Sequence, residues 1–158
     1  MVFKFNLKKF LISMAIPLAV GGLSALIIKG DTDIYDKIIK PPLSPPSWVF
    51  SVAWSILYIL MGISLYLVLN SNVNKPQKQR AIVLFAIQLI LNFIWSPIFF
   101  SLQQFLLAFI VLIFMWIFTL GMIISFYGIS KPAALLQIPY LLWITFAGYL
   151  NFGVYLLN

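Results

Sequence analysis

The 158-residue chain is 63% apolar and only 8% charged, whereas an ordinary soluble domain is about 45–50% apolar and about 25% charged. This composition excludes a soluble globular protein. The net charge of +7 does not indicate a nucleic-acid partner, because the basic residues form short clusters outside the apolar runs and no separate polar domain presents them.

Four long charge-free stretches contain enough sequence for five membrane crossings of about 20 apolar residues each. We predict one all-α transmembrane domain over 1–158, a polytopic five-helix membrane bundle, with helices at about 10–28, 45–69, 81–101, 104–127 and 132–156. The basic and then apolar start resembles a signal peptide, but its apolar run of 19 residues exceeds the usual length. We therefore predict a retained first helix.

The first loop, about 29–46, contains every carboxylate of the protein and four of its nine prolines, which predicts a solvated and partly stiffened segment. Ser44, followed by Pro45 and Pro46, is a suitable start for the second helix. The N-terminal tail and the second and fourth loops carry seven of the ten basic residues. This bias predicts a multi-pass membrane protein with its N-terminus in the cytoplasm.

The predicted crossings contain no ionisable side chain other than tyrosine, which weighs against ion-coupled transport. The chain also has no cysteine and no histidine, so it lacks a thiolate nucleophile and the commonest haem ligand, and a catalytic triad would lack its base. The three aspartates are more typical of a solvated loop than of a cation site. We expect no metal site and no cofactor.

Three prolines inside predicted helices, Pro17, Pro97 and Pro139, predict bends.

Polar and aromatic side chains share faces on three of the predicted helices. These faces comprise Trp54, Tyr58, Met61 and Leu65 on the second helix; Gln88, Asn92, Trp95, Ser96 and Phe99 on the third; and Gln137, Tyr140, Trp143, Ala147 and Asn151 on the fifth. One interpretation is interhelical packing through amide hydrogen bonds. The other is an aromatic cavity, favoured because Trp54, Trp116 and Trp143 lie well inside their helices, whereas Trp48 fits the membrane interface.

Three segments in order carry a resemblance that covers nearly the whole chain. They are KPPLSPPSWVFSVAWSILYILMGISLYLV, QLILNFIWSPIFF and ALLQIPYLLWITFAGYLN. The chain resembles the translocator protein family, also called tryptophan-rich sensory proteins or peripheral benzodiazepine receptors. The resemblance implies a five-helix bundle, commonly a homodimer, that binds porphyrins and, in many members, cholesterol or synthetic ligands in a pocket beneath the first loop.

Carried onto matching positions, the resemblance implies a ligand-binding set of ten residues. They are Tyr35, Pro45, Phe50, Trp54, Tyr58, Asn92, Trp95, Trp143, Ala147 and Leu150. Two departures stand out. Leu43 occupies the place of a family tryptophan before the second helix, and Tyr155 near the C-terminus is not followed by the basic residue of the cholesterol-recognition pattern. Cholesterol handling is therefore not supported.

We expect a membrane receptor or sensor that binds protoporphyrin IX, haem or related lipophilic molecules, with membrane lipid as its other partner. The first-loop residues Lys37 and Lys40 are the nearest cations for porphyrin propionates. Iron ligation would depend on weak ligands such as Met61 or Tyr58, which predicts little preference for haem over metal-free porphyrin. Light-dependent porphyrin degradation, implied by some bacterial members, would use Trp54 and Trp143, and enzymatic activity stays open.

Two alternatives remain at this point. One is a translocator of porphyrins or other lipophilic molecules, although five helices without an internal repeat make alternating access awkward unless a dimer supplies the second half. The other is a structural or partner-binding membrane protein. The small-residue spacing Gly21-x-x-x-Ala25 on the first helix predicts close internal packing.

Overall fold

A computed structural model describes residues 5–158. Within these residues the chain forms seven helices: α1 (Leu7–Ile27), α2 (Ile34–Lys37), α3 (Ser47–Leu69), α4 (Lys75–Phe100), α5 (Phe105–Tyr127), α6 (Lys131–Leu135) and α7 (Ile138–Leu157). Lys4, one of the basic residues counted in the N-terminal tail, lies outside the described residues.

Five helical segments of the described chain are long and apolar enough to cross a membrane: α1, α3, α4, α5, and α6 together with α7. The shortest of them has 21 residues, so it is about 31 Å long and spans a hydrocarbon core of about 30 Å. The predicted all-α, five-helix membrane bundle is confirmed.

Two helices begin earlier than predicted because asparagine residues cap them. The Asn6 side-chain oxygen accepts from the Lys9 N–H at 3.0 Å, and the Asn74 oxygen accepts from the Gln77 N–H at 2.9 Å. Pro76 occupies the first turn of α4, where the missing proline N–H costs no hydrogen bond. The charged start of α4 is therefore helical rather than part of the loop.

The fifth span is broken near its start, between α6 and α7. The side chain of Gln137, at this break, donates to the carbonyl of Leu60 in α3 at 3.3 Å. Pro139 follows in the first turn of α7, so the expected bend in mid-helix is instead an interruption just before the proline. By contrast, α1 and α4 continue as helices through Pro17 and Pro97.

Helix α1 packs closely against α3 at two glycines. A Cβ atom on Gly21 would lie 2.5 Å from Cε2 of Tyr58, and one on Gly62 would lie 2.6 Å from the sulfur of Met14. Both distances are below van der Waals contact, so the two helices approach this closely only because these residues lack side chains. The predicted internal packing at Gly21 is confirmed, although Ala25 is exposed.

The loop between α1 and α3 is fixed to the C-terminal half of α7. The Tyr149 hydroxyl donates to the carbonyl of Pro42 at 2.8 Å. The Asn158 side chain makes two bonds with the backbone of Ile39: it accepts from the N–H at 3.0 Å and donates to the carbonyl at 2.9 Å. The loop therefore lies across one end of the bundle instead of extending freely from it.

Candidate ligand-binding cavity

A cavity of about 640 Å³ lies at the loop end of the bundle. Its wall is formed by the C-terminal half of α1, the N-terminal half of α3, the end of α4 and residues Thr32 and Tyr35 of the loop. The volume is typical of a site for one small organic ligand. Several wall residues on α1 and α3 are exposed at the surface of the bundle, so the cavity is not fully enclosed.

Five of the ten residues implied by the resemblance line this cavity: Tyr35, Phe50, Trp54, Tyr58 and Trp95. Four of these rings form two contacting pairs. Trp54 stacks on Tyr58 with ring centroids 5.6 Å apart, and Phe50 meets Tyr35 edge-on at 5.1 Å. An aromatic wall of this kind is suited to a flat, largely apolar ligand.

The other five do not reach the wall: Pro45, Asn92, Trp143, Ala147 and Leu150. The Pro45 carbonyl accepts the Tyr35 hydroxyl at 2.8 Å. Trp143 contacts Phe50 at 5.7 Å and Trp54 at 6.5 Å between centroids, so those two rings separate it from the cavity. Ala147 and Leu150 are buried in the bundle.

Asn92 is part of a buried hydrogen-bonded chain behind the wall. Its side-chain oxygen accepts from the Tyr58 hydroxyl at 2.6 Å, and its amide nitrogen donates to the Tyr140 hydroxyl at 3.1 Å. The chain links α3, α4 and α7. Its geometry matches the interhelical-packing interpretation of the polar faces, and it makes Asn92 a residue that positions the Tyr58 ring rather than one that contacts a ligand.

Trp95 is held by a second buried set of hydrogen bonds. Its indole N–H donates to the side-chain oxygen of Asn151 at 3.0 Å, and the Asn151 amide donates to the carbonyl of Phe105 at 2.8 Å. Asn151 thus ties the indole to α7 and to the start of α5. The orientation of the Trp95 ring on the cavity wall is therefore determined by the bundle before any ligand arrives.

Trp116 does not line the cavity, although the sequence places it well inside its helix as it does Trp54 and Trp143. It lines a separate, shallower groove of about 360 Å³ between α5 and α7. There its indole N–H donates to the Thr145 hydroxyl at 2.8 Å, which explains how this ring is accommodated deep within a span. Trp48, expected at the membrane interface, is 65% exposed and lies at the mouth of the cavity.

Sequence reasoning missed the part of the wall that comes from α1 and the outer edge of α3. The missed residues include Leu18, Gly21, Gly22, Ser24, Ala25 and Ile28 on α1, and Ser47, Ser51, Ser55 and Ile59 on α3. The serines were detectable as a row at i, i+4 and i+8. Nothing in the apolar and small residues of α1 distinguishes a cavity wall from a lipid-facing surface.

The wall carries no formal charge, since its only titratable groups are the phenols of Tyr35 and Tyr58. Burial raises the pKa of the Tyr35 phenol, partly opposed by a hydrogen bond with Ser44 and reinforced by the nearby charge of Asp36. Lys40 lies just outside, with Nζ 4.5 Å from the centroid of the Tyr35 ring and 4.0 Å from a carboxylate oxygen of Asp36. Lys37 is not part of the wall.

Leu43, which replaces the family tryptophan, is 82% exposed and does not line the cavity. Its backbone is left-handed, with φ at 67°, a conformation that costs a residue with a Cβ about 1–2 kcal/mol. Within residues 5–158, no group of three His, Cys, Asp or Glu side chains is placed to hold a metal ion. The arrangement provides an apolar, aromatic binding surface with neutral hydroxyl groups at its edge.

Comparison with known proteins identifies similar chains over most of this sequence. A family model described as the TspO/MBR family matches residues 13–157. The tryptophan-rich protein TspO of Chlorobaculum tepidum is 44% identical over 124 residues, which cover 78% of each chain. That of Archaeoglobus fulgidus is 38% identical over 154 residues, 97% of this chain and 99% of the relative. The translocator protein of Bos taurus is 33% identical over 123 residues, 77% and 72% of the two chains.

Proposed function

The chain belongs to the TspO/MBR family, and we propose that it is a membrane receptor or sensor that binds a porphyrin or a related flat lipophilic molecule in the cavity between α1, α3 and α4. The observation that carries this proposal is the aromatic wall of Tyr35, Phe50, Trp54 and Tyr58 around a cavity of about 640 Å³. Exposed wall residues lie on two membrane-spanning helices, so we expect a ligand dissolved in the bilayer to reach the cavity without crossing water.

The stacked pair Trp54 and Tyr58 would provide the main contact surface for the macrocycle. The two ring planes are inclined to each other by 29°, so the rings stack with similar orientations. Aromatic contacts of this kind contribute about 0.5–1.5 kcal/mol each beyond the burial of apolar area. The hydrogen bond from Tyr58 to Asn92 holds the phenol ring in place.

The propionate groups of a porphyrin must remain in contact with water or cations, because an unpaired carboxylate is strongly disfavoured in an apolar wall. Lys40, beside the Tyr35 ring, is the cation closest to the wall by described contacts. We therefore expect the macrocycle to enter the cavity with its propionates directed to the loop and the Lys40 ammonium group.

The wall contains no histidine, cysteine or methionine to ligate haem iron. Met61, a weak candidate ligand for iron, is fully buried in the core and does not line the cavity. The Tyr58 hydroxyl is engaged with Asn92. Protoporphyrin IX and haem should therefore bind with similar affinity, because macrocycle contacts dominate over iron coordination.

A titration of the purified protein with protoporphyrin IX, followed by porphyrin absorbance, tests the proposal. Trp54→Leu should weaken binding by about tenfold. Trp116→Leu is the matched control, since it removes a tryptophan from the separate groove on α5 and α7 and should leave the affinity unchanged. Absence of saturable binding, or equal losses in both variants, would contradict the proposed site.

Light-dependent degradation of protoporphyrin is a second candidate activity at the same site. Of the two candidate indoles, Trp54 lines the cavity and Trp143 does not, and their ring centroids are 6.5 Å apart. If an indole touching the excited ring is oxidised, Trp54→Phe should abolish the product, whereas Trp143→Phe should spare part of it. Unchanged product in Trp54→Phe would discard this role.

Translocation remains the rival function, and relatives such as that of Bos taurus bear the name translocator protein. Measuring the flux of a porphyrin into sealed liposomes that contain the protein distinguishes a receptor from a translocator. A receptor should show saturable binding without flux above protein-free liposomes. Flux that is lost in Trp54→Leu would instead favour transport through the cavity.

A further inference from the structure

The charges of the protein are divided unequally between the two ends of the bundle. All three side-chain carboxylates, Asp31, Asp33 and Asp36, belong to the loop that follows α1. The opposite end, where α1, α4 and α6 begin, carries Lys8, Lys9, Lys75, Lys78, Arg80 and Lys131. Since the sequence contains no other aspartate or glutamate, no acidic side chain balances these cations.

Two of these cations converge on a single backbone oxygen. Lys9, on α1, donates from Nζ to the carbonyl of Leu69 at 3.1 Å, and Lys78, on α4, donates to the same oxygen at 3.3 Å. Lys78 also donates to the carbonyl of Ser71 at 2.6 Å. Three helices thus meet at this point, and two ammonium groups share one acceptor.

The carbonyl groups compensate the two charges only in part. The C-terminal end of α3 carries a partial negative charge of about half an elementary charge, against two full positive charges. An ammonium group has three donors, and in the described part of the chain Lys9 uses one and Lys78 uses two. Donors and net positive charge therefore remain available for an anion.

Aromatic and apolar side chains near Lys9 and Lys78 indicate how deep these two lysines lie in the membrane. Phe5, Phe10 and Tyr66 form a ring cluster with centroid separations of 5.4–5.7 Å, and tyrosine is enriched at the membrane–water interface. Leu7 and Leu11, on the adjacent turns of α1, are more than half exposed. A molecule with an anionic head and apolar chains fits this surface better than a small soluble anion does.

We propose that the pair Lys9 and Lys78 binds the phosphodiester group of an anionic phospholipid, whose acyl chains lie along the exposed face of α1. The lipid phosphate supplies the negative charge that the sequence lacks at this end, as basic sites between membrane helices do for acidic headgroups. The site is at the opposite end of the bundle from the ligand cavity and is independent of the proposed function.

Native mass spectrometry of the intact protein in detergent tests this site, with phosphatidylglycerol and phosphatidylcholine as the two lipid probes. The protein should retain one phosphatidylglycerol molecule more tightly than phosphatidylcholine. The double variant Lys9→Gln/Lys78→Gln should weaken phosphatidylglycerol binding by about thirtyfold, which corresponds to about 1 kcal/mol for each direct ion pair with the phosphate.

The matched control is Lys75→Gln/Arg80→Gln, which removes the same charge from the same end of α4. Both side chains are exposed, and the described contacts place neither on Leu69. This variant should lose less than threefold in affinity. Equal losses in both double variants would overturn the site, because attraction would then depend on net charge alone.

Two further measurements on the unaltered protein keep the proposal testable should the lysine variants fail to fold. Phosphatidylglycerol should raise the unfolding temperature above that in phosphatidylcholine, and high salt should reduce this difference. Equal unfolding temperatures in the two lipids would overturn the proposal. The proposal would also be overturned if inorganic phosphate at the same concentration raised the unfolding temperature equally, since the bound group would then be a soluble anion.

Discussion

Adding a methyl group at Gly21 tests the closest contact between α1 and the cavity wall. An alanine Cβ there would lie 2.5 Å from Cε2, 2.6 Å from Cδ2 and 3.0 Å from Cζ of Tyr58. The ring cannot easily move aside, because it donates to Asn92 at 2.6 Å and stacks on Trp54. Either α1 must move away from α3, or Tyr58 must leave its place on the wall.

Gly22→Ala is the matched control, since a Cβ on Gly22 meets nothing within 4 Å. Both substitutions improve helix propensity by up to about 1 kcal/mol, so their difference isolates the clash. Overpacking of this kind costs about 1–3 kcal/mol. We therefore expect Gly21→Ala to be less stable than Gly22→Ala by this amount, which lowers the unfolding temperature by about 2–4 °C per kcal/mol.

Thermal unfolding in detergent, followed by circular dichroism, measures this difference, and the same samples can be titrated with protoporphyrin IX. Combining Gly21→Ala with Tyr58→Ala should remove the penalty, because the opposing ring is then absent. Equal stability of Gly21→Ala and Gly22→Ala would refute the reasoning, as would a penalty that persists without the Tyr58 ring.

Three further predictions concern the loop over the cavity. Asn158→Ala removes both side-chain bonds to Ile39 and should increase hydrogen exchange in the loop, while unchanged exchange would argue against this anchor. Leu43→Gly relieves the left-handed backbone at φ 67°. The gain of about 1–2 kcal/mol is partly offset by the greater entropy of glycine in the unfolded chain, so the unfolding temperature should rise by about 2–4 °C; a fall would contradict this. Because the folded pKa of Tyr35 is raised above its ordinary value of 10.0, its contribution to stability should be constant between pH 6 and 8 and should be lost as the pH rises through the folded pKa. Tyr35→Phe should lack that alkaline loss.

The five spans were predictable because each is apolar over at least the thickness of the bilayer. The residues at which these helices begin were less predictable. The charges after Asn74 predict a loop, although Asn74 and Pro76 form a helix start that the sequence displays. Hydropathy ends a predicted span at its first charge, whereas an actual helix continues into the interface where lysine and arginine side chains reach water.

The candidate site was predictable only in part, because helical spacing shows which residues share a face and not what that face contacts. Trp54 and Tyr58 line the cavity as the aromatic interpretation expects. Asn92 lies on a face of the same kind, but its side chain is hydrogen-bonded to Tyr58 and Tyr140 on neighbouring helices. The contribution of α1 depends on how Gly21 lets that helix approach α3, and this packing is a property of the assembled bundle.

A structure of the protein with protoporphyrin IX bound tests the central claim most directly. We predict density for the macrocycle between α1 and α3, against the stacked rings of Trp54 and Tyr58, with its propionates directed to Lys40. Density in the groove beside Trp116, with the space at Trp54 unchanged, would contradict the account.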